Sequence, residues 1–160
     1  MKKFIILSFL VFVIAACGGS GDQKNAGTTE DESSVTESST SANPDYDPNR
    51  GEGKFKDVKI DPTLNAEMAS KGEKIVDLKC GSCHKMTDEK LVGPGWKGVT
   101  SRHKPEWIMN FMTNTDAMID KDPKAQAMLE ICMVRMPNQN LSDEDARSIF
   151  EYMRKNDGVK

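Results

Sequence analysis

The chain has 160 residues, 37 % apolar and 29 % charged, with a formal net charge of −3, but those averages merge three compositions in series: residues 1–16 hold two lysines and no acid, residues 17–50 two basic and seven acidic side chains, and residues 63–160 fifteen of each. A neutral folded part lacks the cationic field needed to neutralise phosphates, which argues against nucleic-acid binding. That part has only about 100 residues, so it is one small domain with a thin core unless something reinforces it, and two-domain enzymes are excluded.

Met1, Lys2 and Lys3 give a positive start, and Phe4 to Ala16 follow as an uninterrupted apolar and small run. Such a run is shorter than the roughly 20 residues a permanent membrane helix needs, and reads as a secretory signal. Its end, Val13-Ile14-Ala15-Ala16-Cys17, resembles the lipobox of bacterial lipoproteins. By that likeness residues 1–16 are removed and Cys17 is diacylated, anchoring the chain in the bacterial cell envelope with the rest in the periplasm. Two or more acyl chains, at about 0.8 kcal/mol per buried CH₂, give stable membrane residence, whereas one does not. The alternative is a plain signal peptide that leaves Cys17 a free thiol.

Residues 17–62 contain Gly18-Gly19-Ser20-Gly21, the acids Glu30, Asp31 and Glu32, and a Ser/Thr run to Ser41. So few apolar groups cannot offset the entropy of ordering, which predicts a disordered tether. Prolines at 44, 48 and 62 stiffen its far end. For about 45 residues the root-mean-square span is roughly 35 to 40 Å and the stretched limit roughly 150 Å. Phe55, Val58 and Ile60 alternate with polar residues, a pattern compatible with a short strand on the domain.

The domain is assigned to residues 63–158. Residues 65–79 read as a helix with Asn65 as N-cap and Met68, Gly72, Ile75 and Leu78 towards one face. Glycine inside a helix costs about 1 kcal/mol relative to alanine, so Gly72 signals close approach of another element, naturally the last helix. Next comes Cys80-Gly81-Ser82-Cys83-His84. Two cysteines separated by two residues, with histidine directly after, point to covalent attachment of one haem c. The sulfurs, about a turn apart, can each form a thioether to the porphyrin, and His84 can then give a lone pair to the iron. A structural zinc site would need a second pair of ligands, and a thioredoxin-type dithiol would need alternating strands and helices; neither pattern is present. A disulfide framework fails once Cys17 goes to lipid and Cys80 and Cys83 to haem, because only Cys132 remains; that residue reads as a buried small hydrophobe.

Gly93-Pro94 by itself is a turn signal. Pro105 suits the first helical position, and Trp107, Ile108, Phe111 and Met112 form an apolar face. Trp107 reads as core, with a haem propionate as the other use for its indole N–H. A further helix starts at Asp122-Pro123, with Ala127, Met128 and Ile131 inward, and ends near Val134 or Arg135 because Pro137 disfavours helix at Met136. Ser142 to Asp145 form a capping box for a helix over 143–155, with Ile149, Tyr152 and Met153 as its apolar stripe. Three side chains compete for the sixth iron position. Met136 sits on extended chain, Met133 reads as helical and core-facing, and His103 lies on an exposed turn, where a surface or propionate-side role is the simpler use.

Residues 65 to 157 resemble a class I c-type cytochrome. Lys71-Gly72-Glu73-Lys74-Ile75 before the haem motif is similar to the family's first helix, Tyr152 stands where the family keeps an aromatic, and Gly93-Pro94 with Gly98-Val99 resembles its loop beyond the haem ligand. The resemblance implies an all-α fold of about four to five helices around one covalently bound haem. It also implies that the Pro94 carbonyl accepts from Nδ1–H of His84, and that Met136 is the sixth ligand. His/Met ligation favours Fe(II) and raises the potential. The function that follows is a membrane-tethered, monomeric electron carrier, not an enzyme, between a quinol-oxidising complex and a terminal oxidase or reductase. The alternative is a haem peroxidase or gas sensor whose sixth ligand is displaceable.

Overall fold

The computed structural model describes residues 46–160; residues 1–16, read as a signal sequence, Cys17 and the first part of the expected linker lie outside the described residues. Among the described residues there are six helices and no strand: α1 (Ala66–Lys79), α2 (Val99–Arg102), α3 (Pro105–Thr113), α4 (Thr115–Lys121), α5 (Pro123–Cys132) and α6 (Asp143–Asn156). None of these is long and apolar enough to cross a membrane. The all-α class holds, with the short α2 and α4 added to the four longer helices read from periodicity.

Local chemistry sets the boundaries. The Asn65 side chain accepts from the N–H of Met68 and opens α1. Asp122 does the same for α5 through the N–H of Ala125, with Pro123 at the first position. Ser142 and Asp145 cap α6 reciprocally, each side chain accepting from the other's backbone N–H.

α1 and α6 cross at Gly72. A Cβ there would lie 2.0 Å from the carbonyl oxygen of Ser148, so only glycine allows the two backbones this close. That contact sets the rotation of α1. Ala69, Gly72 and Val76 are buried, and Leu78, expected inward, is 86 % exposed. The inward face lies about one residue round from the one the periodicity gave. α6 delivers Ala146, Ile149, Phe150 and Met153 to the core, where Met109, Met112 and Met118 supply adaptable volume.

The segment from Tyr46 to Pro62, expected to belong to the disordered linker, is a strap packed on the domain. Asn110, wholly buried on α3, donates to the carbonyls of Arg50 and Phe55 at 3.0 and 2.9 Å and accepts from Phe55 N–H at 2.9 Å. Glu106 accepts from Val58 N–H at 2.8 Å, and Arg154 donates to the carbonyl of Asp61 at 2.7 Å. Phe55, Val58 and Ile60 pack against the core without forming a strand. Side chains, rather than a neighbouring strand, satisfy the backbone polar groups. Asp122 is fully buried and accepts from Trp107 Nε1 at 2.9 Å and from the hydroxyl of Tyr46. Burial first, then this hydrogen bond, holds the Tyr46 phenol far above its ordinary pKa.

Gly72→Ala tests the crossing. A methyl group forced against Ser148 should destabilise the folded protein by about 1–3 kcal/mol, exceeding the roughly 1 kcal/mol that alanine gains in helix propensity. The chemical-denaturation midpoint should fall; a rise would refute the tight crossing.

Candidate functional site

α1 stops at Lys79 and the chain folds into a single tight turn, in which the N–H groups of Cys83 and His84 donate to the Cys80 carbonyl at 3.0 and 2.9 Å. Cys80 is buried and Cys83 half-buried, and neither they nor Cys132 form a disulfide among the described residues. Burial pushes the Cys80 thiol up to about 11, with Lys79 opposing. Among the described residues no group of three or more His, Cys, Asp or Glu gathers as a metal-ion cage.

The loop that follows holds the imidazole. Val92 and Gly93 donate backbone N–H bonds to the Cys83 carbonyl at 3.2 and 2.9 Å, which folds Pro94 back towards the turn. The Pro94 carbonyl oxygen lies 2.9 Å from Nδ1 of His84. A carbonyl can only accept, so Nδ1 carries the proton and Nε2 keeps its lone pair. Burial lowers the His84 pKa and the Pro94 bond opposes it; with burial the larger effect, the ring is neutral. A Cβ on Gly93 would lie 2.4 Å from Cε1 of His84, so glycine lets the ring rest on the backbone. Trp96, buried in the same loop, supports the ring with a centroid distance of 4.9 Å.

Two adjoining cavities open in front of this imidazole. His84, Pro94, Phe111, Met128 and Met136 border both, so they form two ends of one slot. Cys83 borders the first end, beside the exposed Val92 and Val134; Arg102, His103 and Trp107 border the second. The lining is nearly all carbon and sulfur. Cys80, one turn earlier, borders neither end. An apolar slot with Cys83 and a neutral imidazole on one wall fits a flat porphyrin carrying iron.

Met136 is half-buried on the non-helical chain between α5 and α6. Met133 does not face the core. α5 ends at Cys132 because Met133 adopts a left-handed conformation (φ 55°) and donates its N–H to the Leu129 carbonyl, which turns its side chain outward to 86 % exposure. The inward residues of α5 are Ala125, Met128, Leu129 and Cys132, whereas Ala127 and Ile131 are exposed. Cys132, expected to be buried, is half-buried in the slot wall. His103 is not on an exposed turn: its ring is half-buried and stacked on Trp107 at 4.1 Å, with an interplanar angle of 15°. Trp107 itself is core, its indole N–H engaged by Asp122. Sequence reasoning missed Trp96, whose only signal was an aromatic inside a glycine-rich loop. Phe111 and Met128 were read as inward, but nothing in their periodicity distinguished a slot wall from ordinary core.

The profile of the cytochrome c family matches residues 69–157. The chain is similar to the solved structure of cytochrome c from Rhodothermus marinus, with 34 % identity over 66 % of this chain and 90 % of that one and a TM-score of 0.64. An engineered form of that cytochrome is similar at 33 % identity over the same shares, with a TM-score of 0.63. The engineered form bound to a carbene intermediate gives 33 % and 0.60, again over 66 % of this chain and 90 % of that one. No curated protein sequence matches the chain.

Gly93→Ala should drive the His84 ring off the Pro94 carbonyl and cost about 1–3 kcal/mol, as overpacking does. Both effects are measurable, as shifted His84 ring resonances and a lower denaturation midpoint. Unchanged resonances would show that the ring does not rest on Gly93.

Proposed function

We propose, because the chain belongs to the cytochrome c family and is an electron carrier with covalently bound haem c, that Cys80 and Cys83 carry the thioether bonds and that His84 and Met136 are the two axial ligands. When bound, the haem supplies a one-electron Fe(III)/Fe(II) couple. The chain's own residues do the rest. His84, kept neutral by burial and oriented by Pro94, offers Nε2 to the iron; a hydrogen-bonded partner at the other nitrogen makes an imidazole a better ligand. The Met136 thioether is a soft donor that favours Fe(II), and the apolar slot excludes water, so both raise the potential. What carries this reading is that Met136 and His84 border both ends of one apolar slot. Met128 also borders both, but from within α5, whereas Met136 lies on chain free of helical constraint.

Val92 and Val134 give one end of the slot an exposed apolar rim. Such a rim suits small, short-lived docking interfaces, which bury less than about 1,200 Å². In the physiological setting we propose, a lipid on Cys17 keeps the domain at the periplasmic face of a membrane. There it shuttles single electrons between a quinol-oxidising complex and a terminal oxidase or reductase.

Met136→Leu separates a carrier from a haem enzyme or gas sensor. The variant should lose more than about 59 mV of midpoint potential, equivalent to a tenfold loss of ferrous preference, and should gain rapid carbon monoxide binding that the wild type lacks. Rapid, stoichiometric binding by the wild type would instead favour the enzyme or sensor. Cys17→Ala should move the cytochrome from the membrane to the soluble envelope fraction without changing its haem spectrum; retention in the membrane would refute the anchor.

A further inference from the structure

Met136 lies on a length of chain with few fastenings. Among the described residues, Val134 to Leu141 make no backbone–backbone hydrogen bond to any other element. Pro137 has no N–H to give, and the bonds made by the Gln139 side chain and the Asn140 N–H stay inside the loop. Of its aliphatic and thioether side chains, Met136 and Leu141 pack on the core, whereas Val134 is 53 % exposed. Lys79, at the end of α1, reaches the carbonyl of Gln139 at 2.9 Å, three residues beyond Met136. The residue directly before Met136 makes three bonds. Arg135 donates through Nε to Oδ1 of Asp116 at 3.0 Å, and through Nη2 to Oδ1 of Asp120 at 2.8 Å and to the Asp116 carbonyl at 3.3 Å.

The helix that receives these bonds is itself well fixed. Asp116 and Asp120, four residues apart, share the outer face of α4, while Thr115, Met118 and Ile119 are buried on its inner side. The strap adds a further tie, the Glu52 N–H donating to the Met118 sulfur at 2.9 Å. One short helix thus borders the slot through Ile119 and grips the chain before Met136 through its acids. An isolated exposed ion pair contributes little, because holding two long side chains in one geometry costs entropy. Here one planar guanidinium serves two carboxylates and a carbonyl, and such a network exceeds a single pair.

We propose that Arg135 is a positioning residue: its ion network with Asp116 and Asp120 on α4 holds Met136 at the slot, and screening of that network lets the thioether leave the sixth iron position. The inference rests on the reading of Met136 as sixth ligand. It adds what keeps that ligand in place and makes its hold depend on ionic strength. Arg135, Asp116 and Asp120 are 43 %, 68 % and 64 % exposed, so dissolved ions reach all three. At about 1 M salt the screening length is only about 3 Å, comparable to the bonds themselves. The covalent attachment and the His84 side of the slot involve no such exposed pair, so the sensitivity is confined to the Met136 side.

Carbon monoxide is the probe. It binds ferrous iron only after the thioether has left, so its limiting rate in the haem-loaded protein reads how often Met136 lets go. Arg135→Gln should bind carbon monoxide about three- to tenfold faster than the wild type, yet far more slowly than Met136→Leu. Arg135→Lys, which keeps the charge but not the fork, should fall between Arg135→Gln and the wild type. From about 0.05 to about 1 M sodium chloride the wild-type rate should climb towards that of Arg135→Gln, whose own rate stays flat. Asp116→Asn combined with Asp120→Asn should accelerate binding likewise, and adding Arg135→Gln to them should gain nothing, as for side chains that act through one network. Lys155→Gln removes the similarly exposed Lys155–Glu73 pair between α6 and α1, away from the loop, and should leave the rate unchanged. A wild-type rate in Arg135→Gln, or equal acceleration by Lys155→Gln, overturns the clamp. A wild type as fast as Met136→Leu sinks the ligand assignment as well, whereas a slow wild type matched by Arg135→Gln sinks this inference alone.

Discussion

The hydrogen bond between the Pro94 carbonyl and Nδ1 of His84 is the constraint from which the slot takes its shape. It fixes which nitrogen of the imidazole carries the proton and which way the other points. The bond forms only because the Cys83 carbonyl accepts from two N–H groups of the returning loop, and because Gly93 leaves room for the ring. Everything beyond that point faces the ring: α5 and the chain after it form the opposite wall, and α3 and α6 close the far end. The crossing of α1 and α6 at Gly72 holds the cysteine turn against this assembly.

The core makes sense in the same terms. Methionine supplies several of its most buried side chains, and the fully buried polar residues beside them are engaged: Asn110 by the strap, Asp122 by Tyr46 and Trp107, Glu151 by Arg147 and Arg154. A chain with a small protein core gains from enclosing a large flat apolar group, which extends the buried surface beyond what its own side chains provide. The slot is therefore both the working site and the missing middle of the fold.

Much of this was legible in the sequence because it rests on local chemistry. The caps at Asn65, Asp122 and Ser142, the proline starts of α3 and α5, and the need for glycine at 72 are written in adjacent residues. The residues singled out as Cys83, His84, Pro94 and Met136 line one slot in the structure. What escaped depends on contacts distant in sequence. The rotation of α1 that exposes Leu78 is decided by the backbone of α6, and the outward turn of Met133 by a left-handed residue that no propensity marks. His103 sits between two cationic neighbours and reads as surface, yet stacking on Trp107 draws it inward. The strap was hidden for the same reason: its own residues are polar, and the groups that hold it, Asn110, Glu106 and Arg154, lie about 50 to 90 positions away.

That strap changes the geometry of encounter. With a lipid at Cys17, the length of chain available between membrane and domain ends at Tyr46 rather than Pro62, because Tyr46, Phe55 and Asp61 are bound to the domain. Over those 29 positions the maximal reach is roughly 100 Å instead of roughly 150 Å. The volume explored scales with the cube of that radius, so the upper bound shrinks roughly threefold and the local concentration of the domain around a membrane-bound partner rises by the same factor. With that anchor, residues that look like spare linker set how often the carrier meets a neighbour.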